Sequence, residues 1–204
     1  MTMMASRKTA SDSAKQTTTG ITIVNAPKSA PEWTETLQDG SHVTIRMLRK
    51  SDAALERAFI EKLSPESRRM RFLGQIDASD EALIHALTDL DYRHEVAFVA
   101  LAREGGKTSE VGVSRYGLSQ DGKSCECAVT VSDDWQHKGL GTILMRHLID
   151  LARERGIRCM LSIDDAENWR MRDLAHALGF TREADPQDPA QVIHKLWIGT
   201  DASG

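Results

Sequence analysis

The stretch from Cys125 to Arg155 constrains this 204-residue chain more than any other. Cys125 to Val131 alternates as a strand does, and Ser132-Asp133-Asp134-Trp135 turns the chain. Gln136-His-Lys-Gly-Leu-Gly141 then leads into a long helix, from about Gly139 to Arg155, whose residues Leu140, Leu144, Leu148, Leu151 and Ala152 form one apolar stripe. Gly156 ends it. Two glycines at the mouth of a helix let a ligand approach the backbone with no Cβ in the way. The first helical N–H groups lack intrahelical acceptors, and the helix dipole adds partial positive charge, a combination that binds phosphate oxygens. Lys138 and Arg146 add mobile positive charge nearby. The same Gly139 and Gly141 would also serve a mere tight turn, so the spacing alone leaves both readings open.

The elements around this stretch indicate an α/β chain of the α+β type. His42 to Leu48 alternates as a strand, and Ser51-Asp52 can cap a helix carrying Ala54, Leu55, Ala58, Phe59 and Leu63. Ser64-Pro65-Glu66 opens a second helix, and Ser79 or Asp80 caps a third with Leu83, Ala86, Leu87 and Leu90 on its apolar side. Val96–Leu101 and Val111–Leu118 read as strands joined across Glu104-Gly-Gly-Lys107, and Gln120-Asp-Gly-Lys123 turns into the strand at Cys125. Short links of this kind argue for antiparallel pairing. Ile157–Ile163 is a further strand, Asn168–Leu178 a last helix stopped at Gly179, and Gln191–Ile198 a closing strand. Residues 33–200 therefore read as one domain. Residues 1–32, rich in Ser, Thr, Ala and Lys, read as a disordered tail in which Ile21, Ile23 and Val24 could make one short strand or a docking segment.

A net charge of −4 and a pI near 6.0 give no basic footprint for nucleic acid. No apolar run reaches the roughly 18–20 residues of a membrane span. Cys125, Cys127 and Cys159 make neither a disulfide framework nor, without further ligands at suitable spacing, a zinc site; they fit a reducing cytoplasm.

Val131-x-x-x-x-Gln136-x-x-Gly139-x-Gly141 followed by an amphipathic helix resembles the acyl-CoA signature of the GNAT N-acetyltransferase superfamily. Ala166-Glu-Asn168-x-x-Met171, ending in Ala177-Leu-Gly-Phe180, is similar to the family's second cofactor motif. Ile45 to Asp52, Leu63 to Arg68, Asp91-Tyr-Arg-His94 and Cys125-Glu-Cys-Ala128 resemble the bacterial protein-lysine acetyltransferase branch, and the likeness spans roughly residues 40–198. It implies a mixed, mostly antiparallel sheet flanked by helices, with two parallel strands splaying apart. It also implies acetyl-CoA as co-substrate, held by Val129, Val131, Gln136, His137, Lys138, Gly139, Leu140, Gly141, Thr142 and Asn168, with no metal. The acceptor would be a primary amine, on a protein lysine or a small molecule, and the enzyme a monomer or homodimer. Many related bacterial enzymes carry a fused regulatory domain, and residues 1–32 are too short to be one.

Glu126 stands where the resembled branch carries its catalytic glutamate, so the resemblance makes it the expected general base, while its position on the strand alone would equally suit a solvated glutamate on an exposed face. An amine attacks only when neutral, yet a lysine side chain has a pKa of about 10.4. A carboxylate can take that proton, and strand alternation sets Glu126 opposite Cys125 and Cys127. Asn168 is expected to hydrogen-bond the pantetheine arm or to cap the last helix. His94, His137 and His176 read as loop or surface histidines, Trp135 as a packing anchor, and Arg68-Arg-x-Arg71 as a solvated helix face that could steer acidic ligands. One departure stands out. Many GNAT members carry a tyrosine seven residues after the asparagine to protonate the leaving thiolate, and here that position is Ala175. Two rival readings remain. A non-catalytic acyl-CoA sensor would share the fold. A dinucleotide oxidoreductase would use Asp164 at the ribose, but Leu144 stands where its third glycine belongs, and the upstream strands read as a meander.

Overall fold

The computed structural model describes residues 31–73, 77 and 80–199. The possible strand at Ile21–Val24, nearly all of the tail, and the alternative cap Ser79 lie outside these residues. The strands are β1 (Trp33–Thr36), β2 (His42–Met47), β3 (Glu95–Glu104), β4 (Lys107–Leu118), β5 (Ser124–Val131), β6 (Cys159–Asp165), β7 (Thr181–Ala184) and β8 (Gln191–Trp197). The helices are α1 (Ala53–Lys62), α2 (Pro65–Phe72), α3 (Glu81–Thr88), α4 (Leu140–Glu154) and α5 (Trp169–Ala177). The strands form one sheet in the order β1-β2-β3-β4-β5-β6-β8-β7. Every neighbouring pair is antiparallel except β5 with β6, which are joined through α4 as parallel neighbours must be.

Alternation along β3 shows how the sheet divides the core. Val96, Phe98 and Ala100 join one cluster with Leu140, Leu144 and Leu148 of α4, while Ala97 and Val99 join another with Phe59 and Ile60 of α1 and Leu83 and Ile84 of α3. Helices therefore cover both faces, and β3 is apolar on both. In α4 the inward residues are Leu140, Leu144, Met145, Leu148, Ile149 and Ala152: four of the five expected positions hold, Leu151 is only half-buried, and Met145 and Ile149 widen the stripe. In α1 the inward face differs from the expected one: Glu56, Phe59 and Ile60 are buried, and Ala54 and Ala58 are exposed. The cause is a buried ion pair, Glu56 Oε1 lying 3.0 Å from Arg115 Nη2 of β4.

The feature that makes room for a ligand is the β5–β6 pair. It runs only from Ser124–Glu126 against Cys159–Leu161. Beyond Glu126, β5 stays paired with β4 to Val131, and β6 stays paired with β8 to Asp165, but the two no longer pair with each other. The splay opens toward the N-terminus of α4.

Candidate active site

A cleft of about 380 Å³ fills the splay. Its floor is β5 from Ala128 to Val131, and one wall is the loop and first turn of α4. The other wall is Asp164 of β6 with the first turns of α5, and α2 closes the side through Ser67, Met70 and Arg71. Gly139 sits at the N-cap of α4 with φ +84°, a left-handed conformation that costs other residues about 1–2 kcal/mol. A Cβ there would also lie 3.2 Å from Gln38 Nε2. α2, α3 and α5 are closed by their own cap side chains, Ser64, Asp80 and Asn168, but no side chain caps α4. The first-turn N–H groups of Leu140, Gly141 and Thr142 thus have no acceptor within their helix, and they border the cleft.

The loop before them is tied down. Gln136 Nε2 donates to Val131 O at 3.1 Å and lies 3.4 Å from Ser67 Oγ. Asp133 accepts from the Ser64 N–H, the Ser64 hydroxyl and the Ser67 hydroxyl, at 2.9, 2.8 and 2.7 Å, which locks the N-terminus of α2 to the same loop. Trp135 is buried beneath, with Lys138 Nζ 4.7 Å from its ring centroid.

Nine of the ten positions expected to hold the cofactor line this cleft. The tenth, Lys138, does not: its ammonium lies 2.9 Å from Asp39 Oδ2, and its carbonyl accepts from Gln38 N–H, so its charge is spent on the β1–β2 turn. The expected mobile charge of Arg146 lies on the exposed side of α4, outside the cleft lining. Asn168 caps α5 by accepting from Met171 N–H at 3.1 Å while also lining the cleft. Ala175 is fully buried and lines no part of the cleft, whereas its neighbours Leu174 and Ala177 do. Neither Tyr92 nor Tyr116 lines it.

Glu126 stands elsewhere, in a second pocket of about 130 Å³ beneath α2 and α3. Phe72, Leu83, Leu87 and Leu90 make its apolar wall, and Glu95 and Glu126 add carboxylates. The two cavities share Arg71 and Ala128, so they meet at the point where β5 and β6 part. Burial raises the Glu126 pKa above the ordinary glutamate value, Asp164 raises it further, and Arg71 opposes both. Arg71 is the member of the Arg68–Arg71 run that departs from expectation. It is 5% exposed, among Glu126, Asp164, Glu56 and Arg115, and burial drives its own pKa well below the usual arginine value. Sequence periodicity gave no signal for it, because Met70 and Phe72 are too few apolar residues to mark an inward face on α2. Asp164 was singled out only as a ribose acid. It is buried, with Oδ2 2.7 Å from Ser162 Oγ and 3.0 Å from Nδ1 of buried His194.

The three thiols are free and buried. Burial, aided by Cys159, pushes the Cys125 thiol up to about 12, and burial raises Cys127 as well, so neither supplies thiolate near neutral pH. Among the described residues no group of three or more His, Cys, Asp and Glu is placed to hold a metal ion, and no helix is long and apolar enough to cross a membrane.

Comparison with known proteins gives a consistent result. The model of the Acetyltransferase (GNAT) family matches residues 58–180. Acetyltransferase PA5475 of Pseudomonas aeruginosa is 53% identical over 164 residues, 80% of this chain and 88% of that protein. The GNAT domain of S. lividans PAT superposes with a TM-score of 0.74 at 25% identity, covering 81% of this chain and 96% of that one. The yncA acetyltransferase of Salmonella typhimurium, solved with its cofactor acetyl-CoA, matches with a TM-score of 0.58 at 23% identity over 79% of this chain and 96% of its own.

Proposed function

The chain belongs to the GNAT acetyltransferase family, and from that premise we propose that it moves an acetyl group from acetyl-CoA to a primary aliphatic amine, with Glu126 as general base. The observation that carries the reading is the meeting of two unlike cavities at Arg71 and Ala128. One is glycine-lined and faces helix N–H groups; the other is apolar-walled and holds carboxylates.

The residues present fit the cofactor. The uncapped N-terminus of α4 offers Leu140, Gly141 and Thr142 N–H groups to phosphate oxygens, with a glycine where a Cβ would crowd them. The β5 edge from Cys127 to Val131 is unpaired toward β6 and can bond an extended arm, although the Val131 carbonyl is already engaged by Gln136. When bound, acetyl-CoA supplies an electrophilic thioester. The chain supplies position and a base. A methylene stem fits against Phe72, Leu83, Leu87 and Leu90, and Glu95 and Glu126 share the lining with Arg71 and with Arg115, whose guanidinium is paired with Glu56. Glu126, made more basic by burial, takes the proton that keeps the amine from attacking. With no tyrosine in the cleft, the departing thiolate relies on its own modest basicity, a thiol pKa of about 8.5. Both a protein lysine and a small amine meet these demands.

The test is free-thiol release from acetyl-CoA against a panel of proteins and small amines, with wild type and Glu126→Gln. Acceptor-dependent release that collapses in the variant supports the reading. Tight acetyl-CoA binding with no release on any acceptor would favour the sensor instead.

A further inference from the structure

We propose that Trp169 and His137 form a stacking platform for the purine base of the cofactor, an assignment that rests on the acyl-CoA reading above. Trp169 is the first residue of α5 and, among the described residues, one of two large apolar side chains left open, at 47% exposure. The other, Trp197, lies outside the cleft, whereas Trp169 lines it. Across from it stands the His137 ring, nearly parallel at 19°, with centroids 6.2 Å apart. His137 holds φ +59°, a left-handed backbone that a non-glycine residue adopts at a cost. The Arg170 guanidinium carbon lies 4.9 Å from the indole centroid, and its Nη1 is 3.1 Å from Glu66 Oε1.

Position identifies the occupant. The phosphate-facing N–H groups belong to the first turn of α4, and the unpaired β5 edge leads from there into the molecule. The arm that ends in the thioester must follow that edge inward, toward Arg71 and Ala128. The nucleoside on the other side of the pyrophosphate is thereby directed outward, past His137, to Trp169. A flat base meeting an exposed indole gains stacking without needing base-specific hydrogen bonds. Trp135 cannot share the task, since it is buried under Lys138.

The experiment compares acetyl-CoA with S-acetyl-pantetheine, which has the thioester arm but no nucleotide, on wild type, W169A and W169F. Stacking predicts that W169A raises KM for acetyl-CoA about tenfold with kcat little changed, that W169F restores it, and that S-acetyl-pantetheine gives the same kcat/KM with all three. The second substrate also controls for folding. If W169A loses equally on both thioesters, or on neither, the stacking assignment falls while the acyl-CoA reading stands. If wild type uses neither thioester and binds no acetyl-CoA, both fall.

Discussion

Replacing Glu126 by Gln keeps the side-chain volume in the second pocket but removes the only proposed proton acceptor. The size of the loss follows from the acceptor. An amine of pKa about 10.4 is neutral in roughly one molecule in 2,500 at pH 7 and roughly one in 25 at pH 9. A base beside the bound ammonium recovers that deficit, and the usual gain from such a base is about 10²–10⁴-fold. Wild type should therefore hold a plateau in log kcat/KM above the Glu126 pKa, which burial raises from its ordinary value. The variant must wait for free amine, so its log kcat/KM should climb about one unit per pH unit. The deficit should be about 10²–10³-fold at pH 7, equivalent to about 2.7–4.1 kcal/mol, and should shrink to about tenfold or less at pH 9. Steady-state thiol release between pH 6.5 and 9.5, with acetyl-CoA affinity and thermal midpoint measured in parallel, reads this out. Parallel profiles, with a deficit that stays constant across the range, would refute proton removal by Glu126 and leave it a structural carboxylate.

Arg71→Met should move the acid limb of wild-type kcat/KM to higher pH, because the Arg71 charge lowers the Glu126 pKa while burial and Asp164 raise it; an unmoved limb in the pH profile would separate the two residues. Gly139→Ala should lower stability by about 1–2 kcal/mol in a denaturant melt through its φ of +84°, and raise KM for acetyl-CoA more than it lowers kcat. Glu110, buried in β4, has its pKa raised well above 4.5 by burial first and Glu56 second, so the folded state keeps a proton that the unfolded chain releases. Its favourable contribution is complete below pH 4.5 and is lost as pH rises through the raised value, so Glu110→Gln should flatten the fall in stability as pH rises above 4.5, read as denaturant midpoints.

What the residues disclosed, and what they concealed, follows from how each is held. The α4 stripe was legible in outline because Leu140, Leu144, Leu148 and Ala152 repeat at four-residue helical spacing, whereas Met145 and Ile149, one residue further round, were not included and Leu151 lies at the edge of the buried face. β1 and β7 escaped notice: each is four residues at a sheet edge, too short for alternation to register, and β7 is exposed throughout. The strand expected from Ile157 begins at Cys159, because the Ile157 N–H bonds Ala152 O and so belongs to the end of α4. Glu56 and Arg71 were hidden for a different reason. Patterning assigns charges to the surface, and these two are buried because opposite charges on other elements face them, Arg115 on β4 for one and Glu126 and Asp164 for the other. Such pairs are set by tertiary placement that no local window contains. Lys138 shows the converse: its motif position was right for the loop, but a neighbouring aspartate at Asp39 claims its charge.

The site's place in the molecule follows from the one parallel pair. A parallel connection needs a crossover, and that crossover is α4, so its N-terminus must stand at the C-terminal end of β5. Ligands in open sheets gather outside such strand ends, and here the splay lengthens the opening into a cleft. The pocket that holds Glu126 is tied to the same point by α2. Its first turn is fastened to the loop through Asp133, Ser64 and Ser67, and Ser67 lies near the Gln136 amide that closes on Val131. Its last turn delivers Arg71 to both cavities and Phe72 to the second. An eight-residue helix thus fixes the distance between the uncapped first turn of α4 and the wall beside Glu126. That spacing matters because direct transfer requires the thioester and the amine to meet within about 3–3.5 Å, and a misplacement of about 1 Å is enough to cost 10²-fold.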